Sequence, residues 1–265
     1  MKIGFIGAGN MGGALARAVS LSGAEVFIYD KDEKKSEDLA RAIGAECSAP
    51  YEMVAKCDAV FLGVKPNIIP AVAEEIAEAV SKRDGACLII SMAAGVKTSD
   101  LASRLGVSTP IIRIMPNTPV AYGAGMVLWS KSSAVTEDME RDFLSFMDKA
   151  GRLDLVPEEL IDAGTAISGC GPAFAYMFID ALTKGGVAAG LSEDKAKLYA
   201  CEMLKGAAIT AMNSEKPAAV LREEVCSPGG STIEGVKVLW DGGFEKTVSD
   251  AVEASFNKTV LLGKK

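Results

Sequence analysis

The chain has 265 residues, 49% of them hydrophobic, a net charge of −7 and no histidine. That is enough apolar mass for a sizeable core in one or two domains, and an acidic balance without a basic run argues against a nucleic-acid partner. The missing imidazole excludes Ser-His-Asp hydrolysis and dehydrogenases that exchange a proton through histidine.

Lys2 to Ile6 reads as a short buried strand. Gly7-Ala8-Gly9-Asn10-Met11-Gly12 follows at G-x-G-x-x-G spacing, and residues 14–19 then read as a helix. In a dinucleotide site each glycine has a separate task. The first makes the tight turn, the second lets backbone approach a pyrophosphate, and the third lets helix and strand pack closely. The competing reading is a tight strand-to-helix turn without a ligand. Residues 24–29 read as a second strand ending at Asp30, where an acid about 20 residues beyond the glycines meets a ribose hydroxyl.

Residues 32–43 read as a helix stopped by Gly44, and 59–64 as a central strand followed by Lys65-Pro66-Asn67. A helix over 67–81, a strand over 86–90, a short helix over 99–105 and a strand over 111–114 come next. Alternating strands and helices predict βαβ units and a parallel sheet, with ligands outside the carboxyl ends of its strands. Val64, Lys65, Pro66, Ala93 and Asn117 sit in the loops at those ends. Lys65 reads equally well as a solvated loop lysine, and Asn117 as a turn residue, because loops carry both roles. Strands over 121–128 and 152–156 extend the sheet, with a helix over 136–150 opened by Thr136.

From Pro157 onward the pattern is helical: 158–168, 172–189, 192–213 (capped at Ser192), 217–226, 232–239 and 244–262. The predicted architecture is a Rossmann-type doubly wound α/β domain over 1–157, followed by an all-α domain over 158–265. Residues such as Leu198, Met203 and Leu204 nearly encircle their helix, which predicts burial on several sides, in part against a second subunit. Ser227-Pro228-Gly229-Gly230 breaks two helical patterns, and Ser231 and Thr232 stand where the next helix begins. Free N–H groups and hydroxyls at a positive helix end suit a small carboxylate, and a plain inter-helix turn with an N-cap is the competing reading.

The six cysteines include no C-x-x-C pair, so they read as buried or half-buried thiols of a reduced, cytoplasmic protein, and no metal is expected. No run reaches the roughly 18 apolar residues of a membrane span. The glycine-punctuated N-terminus is expected to be strand and turn, with no signal peptide.

Several stretches agree on one resemblance. They are Gly4-Phe5-Ile6-Gly7-Ala8-Gly9-Asn10-Met11-Gly12, Val64-Lys65-Pro66, Ser91-Met92-Ala93-Ala94-Gly95, Arg113-Ile114-Met115-Pro116-Asn117-Thr118-Pro119, residues 162–173, and above all residues 221–235 around Ser227-Pro228-Gly229-Gly230-Ser231-Thr232. In order and over essentially the whole length, the chain resembles the pyrroline-5-carboxylate reductases. That resemblance implies hydride transfer from NADPH or NADH to the ring C=N of L-1-pyrroline-5-carboxylate, giving L-proline. It also implies a helical dimerisation domain, a homodimer and larger rings of dimers. By match, Ser227, Gly230, Ser231 and Thr232 hold the substrate carboxylate and ring nitrogen. Lys65 and Glu215 match a lysine and a glutamate near the active site, and Glu158 a further acid. Asp30 with Lys31 stands at the ribose corner, where the family leans to NADPH, although a carboxylate there favours a free 2′-hydroxyl. Lysine-dependent hydroxyacid dehydrogenases are the rival on the same plan. They carry the lysine early on the first long helix of the second domain, and here that helix delays it to Lys184. A dinucleotide-binding protein without catalysis is the rival of another class.

Overall fold

The computed structural model describes residues 1–262. The chain forms two compact units. Met1–Cys170 joins with residues 255–262, and Gly171–Ala254 stands as the other.

The first unit runs β1 (Lys2–Ile6), α1 (Asn10–Ser20), β2 (Glu25–Tyr29), α2 (Glu33–Ile43), β3 (Glu46–Cys47), α3 (Pro50–Lys56), β4 (Ala59–Leu62), α4 (Ile69–Lys82), β5 (Leu88–Ser91), α5 (Thr98–Leu105), β6 (Ile111–Met115), β7 (Gly125–Lys131), α6 (Glu137–Phe146), β8 (Gly151–Leu155) and α7 (Ile161–Ser168). The strand order is β3-β2-β1-β4-β5-β6-β7-β8. The chain moves outward from β1 through β2 to β3, then returns past β1 to lay down β4. The order reverses there, which opens a crevice at the carboxyl ends of β1 and β4.

The first six strands are parallel. β7 and β8 extend the sheet as expected, but β7 pairs antiparallel with β6, and β8 then runs parallel to β7. The link from β6 to β7 carries only a 3₁₀ turn over Thr118–Tyr122. Without a crossover helix the chain has no route back to the starting edge of the sheet, so the next strand reverses. That turn also corrects the strand expected over 121–128, which begins at Gly125.

Both faces of the sheet are covered, so its strands are continuous apolar runs. Along β4, Phe61 joins one core with Phe5, Trp129, Phe143 and Phe146, while Val60 and Leu62 join the other with Met53 and Ile76. Phe5 and Phe61 are register partners on neighbouring strands and stack with centroids 4.4 Å apart. β3 and α3 fall where the sequence pattern gives no signal, since a two-residue strand is too short to alternate.

The second unit holds α8 (Gly171–Ala188), α9 (Glu193–Asn213), α10 (Ala218–Glu224), α11 (Ser231–Asp241) and the start of α12 (Phe244–Leu262). Thr136 caps α6 as expected, its hydroxyl accepting from the Met139 N–H. Ser192 stands at the N-cap of α9 but makes no side-chain cap bond. Many apolar side chains of this unit are exposed, among them Met177, Leu198, Met212 and Val238. Cys57 and Cys87 are buried, whereas Cys47, expected to be buried or half-buried, is exposed because β3 is the edge of the sheet.

Candidate functional site

The glycine-rich loop lies at the point where the strand order reverses. Gly7 has φ +111°, and a Cβ there would come within 2.5 Å of the Gly63 carbonyl oxygen. Its N–H donates to the Tyr29 carbonyl at 2.7 Å, so β1, β2 and the end of β4 are drawn together at one corner. A Cβ on Gly12 would meet the Gly7 oxygen at 2.1 Å. Gly9 faces open space, with nothing within 4 Å of where its Cβ would be. Gly9 is also the N-cap of α1, which has no side-chain cap bond and no acid in its first turn. The result is a bare positive helix end, with Asn10 exposed and Ala8 and Met11 half-buried beside it. This cradle fits the pyrophosphate of a dinucleotide.

Asp30 is half-buried at the end of β2. One carboxylate oxygen accepts the Ala8 N–H at 2.8 Å and the other accepts the Asp32 N–H at 3.0 Å. Lys31 beside it is exposed. Val64 is half-buried, and Lys65 and Pro66 are exposed where β4 gives way to a 3₁₀ turn over Pro66–Ile68. Lys65 and Pro66 line a hollow of about 620 Å³ with Ala94, Gly95, Arg104 and Leu262. Ala93 is buried and donates its N–H to the Ser91 hydroxyl at 3.3 Å. Asn117 is buried, and its amide bridges two elements: Nδ2 donates to the Ser168 carbonyl at 2.9 Å, and Oδ1 accepts the Met126 N–H at 3.0 Å.

An ionic cluster that the sequence pattern does not show joins Arg113 to two acids far along the chain. The Arg113 guanidinium donates to Asp162 at 2.8 Å and lies 3.6 Å from Glu158. Glu158 accepts both the N–H and the hydroxyl of Thr98, each at 2.8 Å. So Glu158, matched by resemblance to an acid near the active site, caps the start of α5, the helix that follows the Ala93–Gly95 loop. An arginine inside an otherwise apolar strand was the available signal, since a buried guanidinium requires acids.

In the second unit, Gly229 turns the chain with φ +72°, and the Gly230 N–H donates to the Ser227 carbonyl at 2.9 Å. Gly230 is the N-cap of α11, again with no side-chain cap bond. Ser227, Ser231 and Thr232 are exposed, and among the described residues their hydroxyls have no hydrogen-bond partner. Glu215 is exposed on the link between α9 and α10. This gives a second bare helix start, here furnished with hydroxyls, which can take a carboxylate and donate to a ring nitrogen.

Comparisons with known proteins agree with one another. A family model described as pyrroline-5-carboxylate reductase dimerisation matches residues 158–262. A second, described as NADP oxidoreductase coenzyme F420-dependent, matches residues 2–95. Pyrroline-5-carboxylate reductase 3 of Danio rerio is 36% identical, covering 100% of this chain and 92% of its own length. The pyrroline-5-carboxylate reductase of Escherichia coli K12 is 34% identical, covering 99% and 98%. The crystal structure of a Plasmodium falciparum pyrroline carboxylate reductase with NADP bound superposes with a TM-score of 0.89 at 31% identity, over 99% of this chain and 98% of that one.

Proposed function

The chain belongs to the pyrroline-5-carboxylate reductase family, and from that premise we propose how its residues divide the reaction. It is an oxidoreductase that reduces the ring C=N of L-1-pyrroline-5-carboxylate to L-proline. Bound in the glycine cradle, a reduced nicotinamide dinucleotide, NADPH or NADH, supplies the hydride. The backbone of Gly7, Gly9 and Gly12 and the N–H groups at Asn10 and Met11 hold its pyrophosphate. Asp30 and Lys31 meet the adenosine ribose, and Val64, Lys65, Pro66, Ala93 and Asn117 form the rim toward the reacting end.

Ser227, Gly230, Ser231 and Thr232 hold the substrate. The start of α11 takes its carboxylate, and the Thr232 hydroxyl donates to the ring nitrogen. Withdrawing electrons from that nitrogen leaves the ring carbon more electrophilic, which imine reduction requires. Without histidine, Lys65 and Glu215, which match a family lysine and glutamate, are assigned to assist charge and proton balance. Most of the remaining acceleration is positioning. The observation that carries this reading is the bare start of α11, whose three nearby hydroxyls have no partner within the described residues.

We put the functional boundary at 157/158, and the start of the dimerisation match at residue 158 supports it. The exposed apolar side chains of the helical unit support a homodimer, and a ring of dimers is the family's further step. No helix among the described residues is long and apolar enough to cross a membrane, and six free thiols fit a reduced, cytoplasmic setting.

The test is oxidation of NADH and of NADPH, run separately with purified protein and pyrroline-5-carboxylate, with proline measured as product. Proline formation matching dinucleotide loss supports the reading. No oxidation with either dinucleotide removes it.

A further inference from the structure

The inference here rests on the reductase reading and concerns the choice of dinucleotide. We infer that Asp30 selects NADH over NADPH, against the leaning of the family.

The position of the carboxylate carries the argument. An exposed aspartate could swing into solvent to admit a phosphate. Asp30 is half-buried, and both of its oxygens are engaged, one by Ala8 of the cradle and the other by Asp32 on the following turn. Turning it away would break both bonds and release the loop that holds the pyrophosphate. The negative charge is therefore fixed at the ribose corner. Each oxygen accepts one N–H and retains acceptor capacity for a ribose hydroxyl. A 2′-phosphate at the same place brings a charge of about −1.5 to −2 against it.

The surrounding charges do not offset this. Residues 30–35 contain three acids, Asp30, Asp32 and Glu33, against three lysines, Lys31, Lys34 and Lys35, and no arginine. All three lysines are exposed, and Lys35 already pairs with Asp32 at 3.6 Å. Arg17 is the one guanidinium among the described residues that line the hollow over the cradle. It is exposed, and with Lys35 and Asp38 it lines a hollow of about 410 Å³ over Gly9 and Gly13. A planar fork that reads phosphate in two bonds is absent from the turn itself, and a flexible lysine is a poorer substitute.

The experiment is calorimetric titration of the full-length protein with NADH and with NADPH, without substrate, repeated with Asp30→Asn and Arg17→Ala. The wild-type protein is expected to bind NADH about tenfold more tightly, as a fixed like charge within a few ångströms implies. Asp30→Asn retains one acceptor oxygen and removes the charge, so it should narrow that ratio, chiefly by tightening NADPH. Arg17→Ala should leave the ratio unchanged. Equal or tighter wild-type binding of NADPH overturns the inference without touching the reductase reading. So does an unchanged ratio in Asp30→Asn, or a ratio that moves with Arg17→Ala. Binding of neither dinucleotide overturns the reductase reading and this inference together. The wild-type ratio decides even if a variant fails to fold.

Discussion

The Arg113 guanidinium, 2% exposed, donates to the Asp162 carboxylate at 2.8 Å, joining β6 to α7. Glu158 is the second acid on the same cation, and Arg113 Nε has no partner among the described residues. Removing one partner of a buried pair leaves the other charge stranded, which costs about 3–5 kcal/mol. Asp162→Ala should therefore lower the unfolding free energy by several kcal/mol in a denaturant titration. Glu158→Gln, at 3.6 Å from the cation, should cost less. Equal and small effects would show that the cluster contributes nothing to stability.

Gly9 and Gly12 separate binding from folding. A methyl at Gly12 would strike the Gly7 carbonyl, so Gly12→Ala should lower the melting temperature. A methyl at Gly9 meets no protein atom. Gly9→Ala should melt within about a degree of the parent, because a solvent-facing change away from packing costs little. It should nonetheless lose dinucleotide affinity by more than tenfold, since the methyl occupies the approach to the pyrophosphate. Undiminished affinity in Gly9→Ala would move the dinucleotide elsewhere.

Thr232→Ala deletes a hydroxyl from the start of α11, in the second unit. Turnover should fall by about 10²-fold, the scale of a single well-placed donor in a reacting complex. Dinucleotide affinity should stay nearly unchanged. Thr232→Ser, which retains the donor, should recover most of the loss. Full turnover in Thr232→Ala would exclude that hydroxyl from the reaction.

Burial pushes the Cys57 thiol up to about 11 and the Cys87 thiol up to about 12, from an ordinary value of 9.0. The thiolate is the nucleophile, so iodoacetamide at neutral pH should label the exposed Cys47 and spare both of these until the protein unfolds. The same shifts act on stability. Above pH 9 the unfolded chain gives up protons that the folded chain keeps, so stability contributed by the neutral thiols declines between 9 and about 11 to 12. Cys57→Ala combined with Cys87→Ala should flatten that alkaline decline. An unchanged slope would assign the decline to other groups.

The sequence makes legible those features that repeat or punctuate. The run from Lys2 to Gly12 shows strand, turn and helix start at once, because glycine spacing and apolar runs are local signals. The same holds for Ser227 to Thr232. The reversal of β7 is not visible, since strand direction depends on where the preceding loop travels rather than on side-chain alternation. Nor is the joint use of Asp30 by Ala8 and Asp32: the spacing marks an acid, and only coordinates show which donors reach it. Asn117 is a comparable case. As a loop residue it reads as a rim group, while in the fold its amide ties Met126 to Ser168. Arg113 stands within a strand of isoleucines, and its partners lie far along the chain, beyond the reach of any periodic pattern.

The last helix has a consequence for how the protein is made. The first unit opens with Met1, but it also includes residues 255–262, with all of Gly171–Ala254 inserted between. A ribosome delivers residues in order, and N-terminal domains commonly fold while later ones are still being synthesised. Here the wall that Leu262 contributes to the hollow beside Lys65 exists only once residue 262 has emerged. A nascent chain can therefore build the sheet early, but the nucleotide unit is completed only after the whole inserted helical unit has been made.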